Sequence, residues 1–410
     1  MSTNTDNIPK WIKTNLFENA LHETLGDFKK ILHFKAFLAL VPGENYATVM
    51  IKVEIDVLLN NGDTHKESFM LKVAHDSEFF QKEMTKWDMF NTEMGMYQEV
   101  VPEFEQMYAN IGLKVKFGAR AFKLPTQQDY ILLEDLTKRG FKNAPRQEGL
   151  DMDHCKAVLK KMAQWHAASA VRINNKGAYE YKYSKGMFIE NGKDVFKTML
   201  DSSLKHLLNA IKKSPNLVIY LQQLEDLKEN LTELFYMECA RDEQEFNVLN
   251  HGDCWSNNIM FQYDNEGKLQ ETYFVDLQVP SYGSPAQDLL YFIITSAQLV
   301  IKINKFDYMI KYYYDHLIDH LKLLKYEKSL PKLKDIYMSI IKHGKWGLFS
   351  AIVTMPAVLC DPSDKASVDN LVGDSQEADK FKEFMYSNEL VAKHLQVVLP
   401  WFNCRGVLEP

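Results

Sequence analysis

The chain has 410 residues, of which 46% are hydrophobic, and its 48 basic and 55 acidic side chains give a formal net charge of −7. This composition is typical of a globular protein of two or three domains, and the lack of a basic tract argues against nucleic acid or an anionic membrane surface as a partner. The 5 cysteines are scattered without a C-x-x-C pair and the apolar runs are too short to span a bilayer, so we expect a cytoplasmic protein with no membrane insertion.

The first third of the chain predicts an antiparallel sheet. Residues 48–58 alternate between apolar and charged side chains, which is typical of a half-buried strand. Asn60-Asn61-Gly62-Asp63 then predicts a turn into the next strand. The elements predicted here are a short helix over 11–24, strands over 34–40, 48–58 and 65–73, a helix over 77–100, and strands over 115–122 and 130–134.

Beyond Asp135 the pattern changes and helical periodicity dominates. A sheet-rich first third joined to a helical remainder predicts an α+β fold with two lobes. We place the first lobe at residues 1–135 and the second at 136–410. The helices predicted in the second lobe cover 151–172, 193–213, 216–241, 286–301, 306–324, 333–358 and 376–397.

Residues 250–288 carry the strongest chemical pattern. Asp253 and Asn258 precede a short strand, a turn over 264–267 reverses the chain, and Asp276 lies at the end of the returning strand. A hairpin folded at that turn would bring Asn258 and Asp276 within about two residue pairs, at roughly 3.3 Å per residue. An amide oxygen and a carboxylate so placed can share Mg²⁺, and Asp253 would orient an acceptor hydroxyl in phosphoryl transfer.

A lysine and a glutamate upstream predict a nucleotide clamp. Lys72 lies on the strand face opposite the apolar residues, where a lysine is either solvated or bound to the α- and β-phosphates of a nucleotide. Glu93 shares a helical stripe with two aromatic residues, and a carboxylate that faces inward needs an ion partner. We therefore predict the pair Lys72–Glu93, with Glu83, which belongs to a more charged stripe, as the competitor.

Two further segments are candidates for nucleotide contacts. The loop over 41–47 holds Gly43 and Asn45 where a nucleotide-covering loop would lie, although a single glycine is a weak signal. The backbone from Glu134 to Leu136 ends the last strand of the first lobe and would be placed to bind an adenine. A strand end with an acidic cap explains that segment equally well.

The connection from Asp276 to Asp288 predicts the class of acceptor. A protein kinase carries an activation segment of some tens of residues there, closed by A-P-E, whereas this chain has a short turn and then a helix. Gly252, not arginine, precedes Asp253. We therefore expect a small-molecule acceptor and no protein substrate, with Asp288 tying the catalytic loop to the helical lobe.

The motifs resemble those of the aminoglycoside and choline kinase group, whose catalytic loop reads H-x-D-x-x-x-x-N. His251, Asp253 and Asn258 match that loop, and Asp276 matches the second metal ligand. The finer resemblance, from about Leu38 to the C-terminus, is to the ecdysteroid kinase-like family, also called CHK kinase-like. The segments that carry it are Pro42-Gly43-Glu44-Asn45-Tyr46, Leu133-Glu134-Asp135-Leu136, Trp165-His166-Ala167, His251-Gly252-Asp253-Cys254-Trp255-Ser256-Asn257-Asn258 and Val275-Asp276-Leu277-Gln278.

The resemblance implies a protein kinase-like fold, MgATP as cosubstrate, and transfer of the γ-phosphate to a small-molecule hydroxyl. The acceptors it implies are ecdysteroids or xenobiotic alcohols and phenols. A kinase of a polar amino alcohol or aminoglycoside, and a non-catalytic ligand-binding protein of the same fold, are the alternatives. Aromatic and thioether side chains that are candidates for an apolar acceptor pocket, although ordinary packing is the commoner role, are Tyr179, Tyr181, Tyr183, Met187 and Phe188.

Overall fold

The computed structural model describes residues 8–39, 48–74, 82, 84–238 and 240–409. Antiparallel strands dominate the first part of the chain and helices the remainder, which confirms the predicted α+β class. The main sheet has five strands in the order β1-β2-β3-β5-β4. Its strands are β1 (Phe28–Leu38), β2 (Thr48–Leu59), β3 (Thr64–Ala74), β4 (Ala121–Phe122) and β5 (Tyr130–Glu134).

The two faces of the main sheet have different partners. Alternate residues of β2 and β3, such as Ile55 and Leu71, are buried against Phe17 and Leu21 of the N-terminal helical turn and α1 (Glu18–Thr24). The other face of β3 carries Lys72, whose exposed fraction is only 2%. Because side chains alternate along a strand, the period of two that buries one face directs Lys72 to the opposite side.

Two small sheets in the second part of the chain contain the strands that flank Asp253, Asn258 and Asp276 in sequence. One small sheet pairs β7 (Val248–Asn250) with β10 (Ser281–Gly283). The other has the order β6-β8-β9, and its strands are β6 (Phe141–Lys142), β8 (Ile259–Tyr263) and β9 (Leu269–Phe274).

Helices form most of the second part and enclose the larger hydrophobic core. After α1, the α-helices of the described residues are α2 (Met89–Gly95), α3 (Val101–Ala109), α4 (Met152–Lys176), α5 (Tyr181–Ser184), α6 (Lys193–Lys212), α7 (Leu221–Leu227), α8 (Leu231–Glu238), α9 (Ala286–Ser296), α10 (Leu299–Lys302), α11 (Phe306–Leu323), α12 (Leu333–Lys342), α13 (Gly344–Phe349), α14 (Met355–Leu359), α15 (Val368–Val372), α16 (Gln376–Tyr386) and α17 (Glu389–Asn403).

Several predicted elements differ from the observed ones. The helices expected over 216–241, 286–301 and 376–397 are each divided into two α-helices. The strand expected over 115–122 is reduced to Ala121–Phe122. Within the described part of 77–100 the helix is interrupted at Asp88, whose φ of 50° is left-handed, and it continues as a π-helix over Met96–Val100. The helix expected over 333–358 breaks at His343 and contains a π-turn. Such irregular turns depend on tertiary packing, which periodicity does not report.

Candidate active site

Asp253 lies in the loop between β7 and β8. Gly252 precedes it with a φ of 82°, and a Cβ at that position would lie 2.0 Å from the carbonyl oxygen of Val279. Only glycine fits this close approach in a left-handed conformation. The loop therefore requires glycine before the aspartate, where many protein kinases have arginine.

Neutral side chains hold both oxygens of the Asp253 carboxylate. The hydroxyl of Tyr291 donates to Oδ1 at 2.5 Å, and Nδ2 of Asn258 donates to Oδ2 at 2.9 Å. Burial raises the pKa of the Asp253 carboxyl to about 7; the hydrogen bond from Tyr291 opposes this rise and the nearby charge of Asp276 adds to it. A carboxyl group with a pKa near neutrality suits general base catalysis.

The hairpin of β8 and β9 brings Asn258 and Asp276 together. Ile259 pairs with Phe274, and the amide of Val275 donates to the carbonyl oxygen of Asn258 at 3.0 Å. Asp276 follows with a φ of 62°, a left-handed conformation that costs about 1–2 kcal/mol for a residue with a Cβ. Strain of this kind is concentrated at functional sites, where the surrounding structure maintains it.

Lys72 joins the sheet to this hairpin through two carboxylates. Its Nζ donates to Oε2 of Glu93 at 2.7 Å and also to Oδ1 of Asp276. Burial lowers the pKa of Lys72, but the charges of Asp276 and Glu93 outweigh burial and raise it above its ordinary value. The lysine is therefore charged, and its position is determined from both sides.

Glu93 is the glutamate of α2 that pairs with Lys72, and its exposed fraction is 2%. Burial raises the pKa of the Glu93 carboxyl, the charge of Lys72 opposes that rise, and Asp276 adds to it. Glu83, the competitor considered from sequence, lies outside the described residues. The structure thus brings Lys72, Glu93 and Asp276 into one contact group beside Asp253 and Asn258.

Asp288, in the first turn of α9, anchors the loop that carries Asp253. Its carboxylate accepts hydrogen bonds from the backbone amides of His251 at 2.7 Å and Gly252 at 3.0 Å. Nε2 of His166 lies 3.2 Å from the same group. Burial alone would raise the pKa of Asp288, but the hydrogen bond and charge of His166 lower it below its usual range. Asp288 is thus a structural anchor, as its position before an apolar helix predicts.

Helix α4 supports the same loop with three side chains. His166 contacts Asp288, Nε1 of Trp165 donates to the carbonyl oxygen of Leu249 at 2.8 Å, and Oγ of Ser169 accepts from the amide of Leu249 at 2.6 Å. Neighbouring positions of one helix therefore hold both the strand that leads into the catalytic loop and its anchoring aspartate. This explains why Trp165-His166-Ala167 accompanies the catalytic motif.

The side chain of His251 makes two hydrogen bonds that stabilise the loop. Its Nε2 donates to the carbonyl oxygen of Val275 at 3.0 Å, and its Nδ1 accepts from the amide of Asp253. Burial lowers the pKa of His251, which favours this neutral form. The side chain links the residue before Asp276 to Asp253 and has a structural role.

The oxygen donors fit a hydrated magnesium ion. Both contacts of Asn258 to Asp253 use the Nδ2 amide, so Oδ1 takes no part in them and could serve as an oxygen ligand. The Asp276 side chain is 24% exposed. Across the described residues there is no cluster of three His, Cys, Asp or Glu side chains suited to a metal. Mg²⁺ in phosphoryl-transfer sites needs no such cluster, because phosphate oxygens and water complete its shell.

The comparison with known families agrees with these motifs. The model of the ecdysteroid kinase-like family matches residues 42–326. The chain belongs to the ecdysteroid kinase-like family. Its fold is therefore the two-lobed protein kinase-like one that the resemblance implies. The match ends at residue 326, so the family model does not cover the C-terminal helices to which the predicted resemblance extended. No curated protein matches the chain at a significant level.

Two members of the predicted nucleotide site lie at the end of β5. Glu134 accepts from the backbone amide of Arg120 at 3.0 Å and forms an ion pair with Arg139 at 3.2 Å. Leu136 begins a short 3₁₀ turn capped by the side chain of Asp135. This is the acidic cap considered from sequence, and the adenine contact stays a prediction. Gly43 and Asn45, predicted for the covering loop, lie outside the described residues.

Sequence reasoning missed Tyr291, which contacts the candidate base. Tyr291 is buried in α9, and Oγ1 of Thr354 donates to its hydroxyl at 3.1 Å. The available signal was its spacing of three residues from Asp288, which places both side chains on one helix face.

Most of the aromatic candidates for the acceptor pocket have packing roles. Tyr179 donates to Ser169 at 3.2 Å, Tyr183 donates to Glu99 at 2.8 Å, and Tyr181 is 71% exposed. Phe188 packs against Phe196, Tyr236, Trp346 and Phe349 in an aromatic cluster.

The described residues contain no helix long and apolar enough to cross a bilayer.

Proposed function

We propose that this ecdysteroid kinase-like protein transfers the γ-phosphate of ATP to a hydroxyl group of a small lipophilic molecule. The observation that carries the proposal is the contact group at the hairpin, in which Asp253 and Asn258 are bonded to each other beside Asp276, Lys72 and Glu93. Phosphoryl transfer needs an oriented acceptor, neutralised phosphate charge and a clamped nucleotide. These side chains match the three needs.

Asp253 is the proposed catalytic residue. Its carboxylate would accept the hydrogen bond of the acceptor hydroxyl and take up its proton as the oxygen bonds to the γ-phosphorus. The bond from that phosphorus to the β,γ-bridging oxygen would break, and ADP would leave. The pKa of about 7 keeps a substantial ionised fraction at neutral pH while making the group a better proton acceptor than an ordinary aspartate. Tyr291 and Asn258 would hold the carboxylate in one orientation during the reaction.

Lys72 and the two oxygen ligands would handle the nucleotide. Lys72, held by Glu93, would bind the α- and β-phosphates, and Gly43, Asn45, Glu134 and Leu136 remain proposed as further nucleotide contacts. Mg²⁺ held by Asn258 and Asp276 would neutralise charge on the phosphate oxygens. The contact of Lys72 with Asp276 supports this arrangement, because it keeps the lysine cation next to the proposed metal ligand.

The short connection between Asp276 and Asp288 supports a small acceptor. Only β10 and a turn lie between them before α9 begins. A peptide platform of the protein kinase kind would need a longer segment. The acceptor class is proposed as an ecdysteroid or another lipophilic alcohol or phenol, following the family, and the cytoplasm is proposed as the location from the scattered cysteines.

Radiolabel transfer tests the proposal. Purified protein is incubated with Mg²⁺ and γ-labelled ATP against ecdysone, phenols, glucosides and amino alcohols. We expect label on a lipophilic hydroxyl compound, loss of transfer in Asp253→Asn, and wild-type transfer in Asp264→Asn, a matched change at the turn of the same hairpin. Transfer only to amino alcohols would show that the acceptor is a polar amino alcohol and not a lipophilic one. Nucleotide binding without transfer to any alcohol would favour a ligand-binding protein.

A further inference from the structure

The helix that carries Glu93 begins at an interruption and contains an irregular turn. α2 follows Asp88, whose φ of 50° is left-handed, and it leads directly into the π-helix over Met96–Val100 and then into α3. Packing of a helix against other elements contributes more to its stability than helix propensity does, so contacts from other elements must fix the position of α2. Residues 181–192, which follow the long helix α4, lie against α2 and its flanking turns. We call them the bracket segment.

Polar contacts join the bracket segment to both ends of α2. Before the helix, Nε1 of Trp87 donates to the carbonyl oxygen of Met187 at 2.8 Å, and Nζ of Lys185 donates to the carbonyl oxygen of Trp87. After the helix, the hydroxyl of Tyr183 donates to Oε2 of Glu99 at 2.8 Å. The two ends are therefore held by different residues of one segment.

Two glycines make the packing between these elements close. A Cβ at Gly95, the last residue of α2, would lie 2.0 Å from the hydroxyl oxygen of Tyr183. A Cβ at Gly192, the last residue of the bracket segment, would lie 2.4 Å from the indole ring of Trp87. Neither glycine has a positive φ, so close approach and not backbone conformation explains both.

The bracket segment also touches the loop that follows Asp276. The amide of Gly186 donates to the carbonyl oxygen of Pro280 at 3.0 Å, and Lys185 forms an isolated antiparallel bridge with Ser281. Gly186 has a φ of 63°, and a Cβ there would lie 2.8 Å from Cβ of Ser281. The bracket segment thus contacts the flanks of α2, which carries Glu93, and also the loop that follows Asp276. Glu93 and Asp276 supply the two carboxylates that bind Lys72.

We propose that the bracket segment positions Glu93 and Asp276 around Lys72, and that Tyr183 and Trp87 are positioning residues for the nucleotide clamp. The nucleotide part of this inference rests on the proposed function. A carboxylate that moves by an ångström lengthens a hydrogen bond of 2.7 Å beyond useful range. Loosening the bracket should therefore release Lys72 and weaken nucleotide binding without touching a group that contacts the nucleotide.

Calorimetric binding of Mg²⁺ with a non-hydrolysable ATP analogue tests the proposal, with thermal unfolding measured in parallel. Gly95→Ala should weaken binding about tenfold, which corresponds to about 1.4 kcal/mol, and Tyr183→Phe should weaken it about threefold. Alanine favours helix more than glycine does, so a loss in Gly95→Ala cannot arise from weaker helix propensity. Gly26→Ala is the matched control, because its Cβ would meet nothing within 4 Å.

A double-mutant cycle separates positioning from general structural damage. In a Glu93→Gln protein Tyr183 has lost the carboxylate that it positions through α2, so adding Tyr183→Phe should weaken binding no further. Losses that add fully in the cycle, or wild-type affinity in both Gly95→Ala and Tyr183→Phe, would overturn the inference.

Hydrogen exchange of α2 gives a readout that does not depend on nucleotide. Tyr183→Phe should speed amide exchange in residues 89–95, while Tyr108→Phe, which removes another buried tyrosine hydrogen bond, should leave exchange there unchanged. Unchanged protection of α2 in Tyr183→Phe would overturn the bracket. If the wild type bound no MgATP analogue, the proposed function would fall, and the exchange result would still decide whether the bracket holds α2.

Discussion

Asp253 and Asp288 belong to the same small region, yet their surroundings drive their pKa values in opposite directions. The pKa of Asp253 is raised to about 7, whereas that of Asp288 is lowered. For both, burial is the largest influence and acts upward. The difference must therefore come from the hydrogen-bond donors and charges that surround each carboxylate.

The donors to Asp288 belong to the loop that it anchors. It receives two backbone amides, from His251 and Gly252, and faces the imidazole of His166. Asp253 receives the neutral side chains of Tyr291 and Asn258 and lies near another carboxylate. Backbone amides and an imidazole stabilise the ionised form more than burial destabilises it, and the donors of Asp253 do not.

The comparison separates an anchoring carboxylate from the proposed base. A carboxylate saturated with donors holds the chain in place and is a poor base, because its donors compete for the lone pairs. A carboxylate whose pKa is raised destabilises the fold at neutral pH, but it is suited to proton transfer. Substitution of the two aspartates should therefore have opposite effects on stability.

Asp253→Asn should have the largest effect on activity and should stabilise the protein. Loss of a general base typically costs about 10²–10⁴-fold in rate. Between an unfolded pKa of about 3.9 and a folded pKa of about 7, the folded wild type binds more protons, so its stability falls as pH rises through that window. Unfolding in urea at pH 8 should show Asp253→Asn more stable by about 1–2 kcal/mol.

The pH dependence of that gain is the control. Well below the unfolded pKa of about 3.9 the wild-type carboxyl is protonated in both states, so the two proteins should be equally stable there. A constant difference at all pH values would mean that the gain comes from packing or hydrogen bonding. A less stable Asp253→Asn protein at pH 8 would contradict the comparison.

Asp288→Asn should destabilise the protein by about 3 kcal/mol. An amide cannot supply the ionic acceptor that His166 and two backbone amides use, and it leaves buried donors without partners. Because the folded pKa of Asp288 is depressed, its stabilisation is present above about pH 3.9 and is lost as pH falls through the folded value. Urea unfolding at pH 7 measures the loss. An Asp288→Asn protein as stable as the wild type would show that Asp288 is not an anchor.

The aspartates and their chain positions could be identified from sequence, but their different chemistry could not. Asp253, Asn258 and Asp276 follow from a turn signal between two short strands, because hairpin pairing is a local rule. The Lys72–Glu93 pair follows from strand and helix periodicity. In both cases the face on which each side chain lies follows from a period that the sequence displays directly.

Tyr291 and the bracket segment could not be predicted in this way. Tyr291 contacts Asp253 across 38 residues, and Trp87 contacts Met187 across 100. Such contacts depend on how separate helices pack, and no local period encodes them. Gly95 and Gly192 are traces of the bracket segment in the sequence, because a glycine at such a position indicates close approach without identifying its partner.

Tyr291→Phe should have the smallest effect and tests the donor that Asp253 uses. The tyrosine hydrogen bond lowers the pKa of Asp253, so its removal should raise that pKa and move the acidic limb of the pH–rate profile upward from about 7. At pH 8.5, where Asp253 is ionised in both the wild type and the variant, the rate should fall about threefold or less. At pH 6 the rate should fall about tenfold, which corresponds to about 1.4 kcal/mol. Thr354→Val, which removes the donor to Tyr291 and leaves its hydroxyl in place, should give a smaller shift in the same direction. A limb that stays in place in Tyr291→Phe would show that burial and Asp276 alone determine the basicity of Asp253.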